Sequence, residues 1–307
     1  KELLDDPAFV FDSTRGAAKP LFPSRNAAET SDAPTLKSFT TDGFTVGTSA
    51  EVNDDGIVNV AWCWNTQGGA GSSNTDGTIN STTTSVGQTQ GISISTYTGT
   101  NTAATIGHGL GAVPKMVIVK RTNGAAGWYM HHQNLTSANY HIVINTTAVQ
   151  GTGTGQWNDT LPTSTVFSVG TGSDTNGSTD TYVAYCFAPK QGFSSIGSWT
   201  GNATTDGPFV YTGFRPAFVL TKPINYGSAW VISDNKRPGY NPAAASDLSL
   251  QPNTSGAEIT EARMDLLSNG FKLRTTAAEV NAAYNYLYIA FAEAPFVNSN
   301  GVPCNAR

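Results

Sequence analysis

YVAYCFAPKQGFSSIGSWTGN, residues 182–202, is the stretch that decides how this chain folds. It reads as a junction, where one structural unit closes and the next opens. Its first half, Val183-Ala184-Tyr185-Cys186-Phe187, has relatives at Val60-Ala61-Trp62-Cys63-Trp64 and Tyr288-Ile289-Ala290-Phe291-Ala292. Its second half, Gly197-Ser198-Trp199-Thr200-Gly201-Asn202, has a relative at Ser95-Thr96-Tyr97-Thr98-Gly99-Thr100. A junction that recurs means an internally repeated fold, and the repeat period then governs every other reading.

Working outward, Pro114 to Lys120 and Pro216 to Lys222 share the pattern Pro-x-x-Val-x-x-Lys. Trp128-Tyr129-Met130-His131-His132 precedes Trp230-Val231-Ile232-Ser233-Asp234 by 102 residues (230 − 128). Asp12 and Arg15 return as Asp234 and Arg237, 222 residues later (234 − 12). Asp42-Gly43, set between short apolar runs, is a hairpin signal because Gly accepts positive φ. The pattern predicts an all-β protein of tandem β-sandwich repeat domains joined by a Gly/Ser/Thr-rich linker. Residues 1–66 form a partial first β repeat, closed by an apolar strand at 57–64 and lacking its front half. The missing strands are expected from upstream residues or a neighbouring subunit. Residues 67–93 are the linker or a long surface loop, whose threonines would also allow an extended edge strand; 94–190 form the second repeat and 191–307 the third. One short helix is expected at 258–267.

Composition agrees with extended structure. Charged residues make up 13 % of the 307, against about 25 % in ordinary domains. Hydrophobic residues make up 38 % and aromatics 10 %, enough to bury a core, and Thr, Val, Tyr and Trp suit a pleated surface. A net charge of −5 without a basic patch argues against nucleic acid as a partner. No run of about 20 apolar residues offers a membrane span. The chain starts at Lys1 rather than Met, so it is expected to begin inside a longer product. Cys63, Cys186 and Cys304 make no disulfide framework, and the first two read as buried thiols on matching strands.

No residue set announces chemistry. His131, His132 and His141 could be argued into a metal site, but neighbours on a strand point to opposite faces, and no coordinating Cys or carboxylate lies at a recognised spacing. They and His108 read as surface or partly buried polar side chains. Asp12 and Asp234 each stand three residues before an arginine, which reads as a turn-stabilising pair and not as the two facing acids of a glycosidase. The Gly-rich string at 107–111 lacks the βαβ context of a dinucleotide loop. Asp54-Asp55-Gly56 is a turn without the distal acid of a calcium loop. No catalytic residue, cofactor or metal is expected. Aromatics beside Asn and Asp in loops are what a glycan-contacting surface uses. Trp157, Asn158, Asp159, Tyr240 and Asn241 are the candidates.

With the repeats laid out, the chain resembles tailed-bacteriophage virion proteins, a family common in marine phages. The resemblance rests on Phe11-Asp12-Ser13-Thr14-Arg15-Gly16, Phe39-Thr40-Thr41-Asp42-Gly43-Phe44, Trp199-Thr200-Gly201-Asn202, Gly213-Phe214-Arg215-Pro216-Ala217-Phe218-Val219 and Tyr286-Leu287-Tyr288-Ile289-Ala290-Phe291-Ala292-Glu293. It covers nearly all of the chain outside 67–93, and the end from Pro295 to Arg307 looks like that family's C-terminus. The resemblance implies a virion structural protein, either a tail fibre or a capsid-surface appendage, on the extracellular particle surface. It also implies a symmetric homo-oligomer such as a homotrimer, contacts with other virion proteins and touch with a host-surface glycan. It carries over no catalytic residues. The alternatives are a carbohydrate-binding module of a secreted protein and a glycan depolymerase.

Overall fold

The computed structural model describes residues 7–66, 69, 71–237, 241 and 248–293. The described residues are all-β, with only three four-residue helical turns. They divide into two compact units. Unit 1 comprises Lys1–Asn145, Gln150–Ala188 and Thr254–Gly256, and unit 2 comprises Thr146–Val149, Pro189–Asn253 and Ala257–Arg307.

Unit 1 opens with β1 (Val10–Asp12), β2 (Gly16–Leu21), β3 (Leu36–Phe39), β4 (Phe44–Val46) and the turn α1 (Ala50–Asn53). It continues with β5 (Thr83–Gly87), β6 (Ile92–Thr98), β7 (Ala104–Gly107), β8 (Met116–Arg121), β9 (Trp128–His132), β10 (Tyr140–Val143) and β11 (Gly151–Thr152). The turn α2 (Thr154–Trp157), β12 (Val166–Val169), the turn α3 (Ser173–Asn176) and β13 (Thr181–Phe187) complete it. Seven strands form an antiparallel sheet in the order β11-β10-β9-β8-β13-β6-β5, and β12 pairs with β7. Alternation decides the faces. Tyr97, Val117, Val119, Tyr182 and Cys186 point one way and pack on Ile106, Phe167 and Val169 of the β7/β12 pair. Trp128 and Tyr185 stack on the other face.

That second face is covered by the N-terminal segment. Tyr185 donates its hydroxyl to Asp12 at 2.7 Å, and the Trp128 indole donates to Phe22 O at 2.9 Å. Lys120, fully buried, donates its ammonium to three carbonyls, those of Asn26, Arg121 and Ala126. A buried cation without a carboxylate is tolerable when its donors are all used this way.

Unit 2 comprises β14 (Ser194–Thr200), β15 (Phe209–Tyr211), β16 (Pro216–Pro223), β17 (Val231–Asp234), β18 (Leu248–Leu250), β19 (Ile259–Thr260), β20 (Met264–Leu267), β21 (Gly270–Leu273) and β22 (Asn285–Ala292). Its main sheet runs β14-β22-β16-β17-β18-β19, and a second runs β15-β21-β20. Taken in chain order, this is the strand sequence of β6-β13-β8-β9-β10-β11 in unit 1. Pairing partners fix the equivalences. Tyr182 lies between Tyr97 and Arg121, and Tyr286 lies between Trp199 and Pro223. The ring stacks match too, Tyr97 on Tyr182 at 5.1 Å and Trp199 on Tyr286 at 4.9 Å. Asn176 and Asn281 are both fully buried, and each amide pegs the loop after the first strand to the turn before the last.

Several expectations need correcting. Matching the two closing strands by their alanines sets Ala184 against Ala290, whereas the ladders set Ala184 against Tyr288. A two-residue slip keeps every side chain on its face, so the apolar pattern alone cannot detect it. Residues 67–93 read first as a linker, but the edge strand that their threonines allow is what forms at 83–87. They contain β5, whose Thr83 and Thr84 hydroxyls bond Thr96 and Ser95 across the ladder, so hydroxyl pairs do there what apolar anchors do elsewhere. Among the described residues, 57–64 fall in no named strand and hold only a bridge residue at Asn59, and Cys63 is exposed; Cys186 is buried as expected. Residues 258–267 hold β19 and all of β20 rather than a helix, with Arg263 between them drawn into the interior. His108, His131 and His132 are fully buried rather than superficial.

Residues 7–66 share local features with unit 2. Arg15 bonds Asp12 and Glu29 as Arg237 bonds Asp234 and Glu258, and both guanidiniums also reach a strand carbonyl, Val10 O or Ile232 O, at 3.3 Å. The β3–β4 hairpin carries Phe39, Phe44 and Val46 exposed at 38–40 %. Counting from the Asp-Gly and Asn-Gly turns, they correspond to Leu266, Phe271 and Leu273, which form part of the unit 2 core. Among the described residues no third strand pairs with β4 in the way β15 pairs with β21.

Candidate functional site

The five glycan candidates divide when placed on the fold. Trp157 ends α2 and is 2 % exposed, with its ring edge-on to His131 at 6.0 Å. It is core, not a sugar platform. Asn158 and Asp159 follow it into solvent, both with left-handed backbone (φ 52° and 47°). Asn241 is a structural peg in unit 2, since its side chain exchanges two hydrogen bonds with the Leu266 backbone, at 2.7 and 2.6 Å. Tyr240 lies outside the described residues.

The chemistry that does converge lies beside α2, at the β9/β10 corner of unit 1. Alternation along β9 puts Tyr129 and His131 on the core face and sends His132 to the other. The register that pairs Ile142 with Met130 and Val143 with Tyr129 sets His141 opposite His131. Gly151 faces His141 across the next ladder, and a Cβ there would meet His141 Nε2 at 2.7 Å, so glycine makes room for the ring. The Tyr129 and His141 rings lie 5.1 Å apart and tilted by 49°. The turn α3 brings Asp174 in, and the Tyr129 hydroxyl donates to it.

Burial sets the protonation states. It lowers His131 from 6.5 to about 4. It lowers His141 too, with Asp174 pulling the other way. The Tyr129 hydroxyl is pushed up to about 12, first by burial and then by Asp174. Both imidazoles are therefore neutral at physiological pH. Among the described residues, no group donates to or accepts from His131 Nδ1, His141 Nδ1 or Trp157 Nε1, although each atom is buried. With the proton on Nε2, each Nδ1 offers a lone pair. Tyr129, His141 and Asp174 are only partly buried, so each keeps an edge at solvent above the two covered Nδ1 atoms. Histidine, tyrosine and carboxylate with no cation among them make a hydrogen-bond-accepting corner.

Unit 2 builds the same corner differently. Val231, Ser233 and Ser249 stand where Tyr129, His131 and His141 stand, since Ser233 pairs with Ser249. Glu279 stands for Asp174, two residues before the buried asparagine in each unit. Into this corner Arg263 inserts its guanidinium, 2 % exposed, donating to Ser249 Oγ at 3.0 Å and pairing with Glu261 and Glu279 at 3.0 and 3.5 Å.

The remaining histidines are structural. His108 bonds Thr163 O and accepts from Leu110 N, and His132 accepts from Asn134 N. No three metal-ligating side chains cluster among the described residues. Sequence reasoning passed over Tyr129 and Asp174. The signal was the spacing of His131 and His141, ten residues apart across a hairpin, which sets two imidazoles on one face.

Residues 5–295 match a family described as a domain of unknown function, DUF7483. No curated protein and no solved structure matches the chain.

Proposed function

The chain belongs to the family described as the domain of unknown function DUF7483, and from its resemblance to tailed-bacteriophage virion proteins we propose that it is a non-enzymatic virion structural protein. In this reading residues 94–190 and 191–307 are tandem β-sandwich repeats. The chain forms a tail fibre or capsid-surface appendage on the extracellular particle, as a homo-oligomer among other virion proteins. Asn158 and Asp159 are its solvent-facing groups for a host-surface glycan.

One observation carries the reading. Scaffold features recur strand for strand, down to the buried pegs Asn176 and Asn281 and the carbonyl-capped Lys120 and Lys222. The side chains at the equivalent corners have meanwhile diverged, from Tyr/His/His/Asp to Val/Ser/Ser/Glu with an arginine. Architecture needs copies of a frame, whereas catalysis needs one tuned pocket. Two measurements test this. Antibody labelling of purified particles in the electron microscope should decorate the tail or capsid surface, and light scattering should give a multiple of 32.2 kDa. A monomer that leaves particles unlabelled, or that cleaves capsular polysaccharide, would sink the reading.

A further inference from the structure

We propose that the β9/β10 corner of unit 1 binds a guanidinium group, the side chain of an arginine on a partner polypeptide, through Asp174, His141, His131 and the ring of Tyr129. The molecule supplies its own precedent. In unit 2 the equivalent corner is filled by Arg263, held by Ser249, Glu261 and Glu279. Unit 1 keeps the acid, as Asp174 for Glu279, and replaces the serine acceptor with an imidazole, His141 for Ser249. It adds an aromatic ring, Tyr129 for Val231.

Each change favours a planar cation from outside. A guanidinium has five donors and no acceptor, so it needs what this corner offers, a carboxylate and nitrogen lone pairs. An arginine over a tyrosine face gains a further cation–π attraction. A buried polar atom left without a partner carries an uncompensated desolvation cost. Unit 1 has two such imidazole nitrogens in one corner, which calls for a ligand or a specific water. His131 is neutral, its pKa lowered to about 4, so it accepts rather than repels. A neutral sugar would suit the ring but leaves unexplained why the same corner of unit 2 is sealed by a cation.

The probe is N-acetyl-arginine amide, titrated into the full chain carrying 13C-labelled histidine and tyrosine. The control is N-acetyl-citrulline amide, which has nearly the same shape and no charge. The expected result is saturable movement of the His131, His141 and Tyr129 resonances by the arginine compound. The affinity should be in the low millimolar range, about tenfold better than citrulline. Asp174→Asn should weaken binding by about tenfold. Arg263→Ala should open a second site in unit 2, with the lost stability partly restored by the arginine compound. Equal responses to arginine and citrulline, or no saturation by about 50 mM, would overturn the assignment. So would movement of the same resonances by methyl glycopyranosides instead, which would hand the corner to a glycan. The citrulline comparison needs no variant, so a failure of Asp174→Asn to fold leaves the test intact.

Discussion

His131 makes the stability of unit 1 depend on pH in a way that can be isolated. The imidazole is 3 % exposed, and burial lowers its pKa from 6.5 to about 4. The native state therefore resists a proton that the unfolded chain accepts below pH 6.5. The sign follows. A group whose native pKa is depressed contributes stability that is fully present above 6.5 and is lost as pH falls toward 4. Between pH 7 and pH 4.5 the loss from this one residue amounts to about 2–3 kcal/mol. Carboxylates also titrate over part of that range, so the wild-type slope alone proves nothing. The measurement is urea unfolding of wild type and of His131→Gln at both pH values, followed by tryptophan fluorescence. His131→Gln should be less stable at pH 7 and lose about 2–3 kcal/mol less on acidification. If the two proteins lose stability in parallel, His131 is not the buried neutral imidazole described above.

Three further outcomes follow from the packing. Asn176→Ala removes three short side-chain bonds, to Thr102 O, Gly170 O and Thr100 N. It should cost about 3 kcal/mol, with a matching loss for Asn281→Ala, both read from urea midpoints. Gly201→Ala places a Cβ 1.9 Å from Ala282 O, and a backbone atom cannot step aside, so calorimetry should show a loss of about 2 kcal/mol or more. Phe271→Ala empties the ring position packed edge-on by Trp199 at 5.6 Å and by Tyr288 at 5.5 Å. That should cost about 3–5 kcal/mol and change the Trp199 emission.

Strands with strong alternation were legible in the sequence. Pro-x-x-Val-x-x-Lys gave β8 and β16, and Asp42-Gly43 gave the β3–β4 hairpin. What failed was placed by distant contacts. The Thr-rich β5 reads as loop because its cross-strand partners, Ser95 and Thr96, are hydroxyls rather than apolar groups. Glu258, Glu261 and Arg263 look like the polar side of a helix until the guanidinium is seen buried. Trp157 looks like an exposed loop aromatic until the chain returns it under His131. The corner itself was half visible. Its histidines could be paired from hairpin spacing, but Asp174 reaches Tyr129 only through the α3 turn, which no local pattern announces.

The cap on Lys120 sets a rule for anyone dissecting the molecule. The repeat read from the sequence begins at residue 94, yet its buried ammonium donates to Asn26 O, 94 positions upstream, and its Trp128 indole donates to Phe22 O, 106 positions upstream. A fragment cut at the apparent module edge would strip acceptors from both groups and leave Tyr185 without Asp12. Excision sites should therefore fall before β1, and insolubility of a shorter fragment would say nothing against the strand assignments inside it.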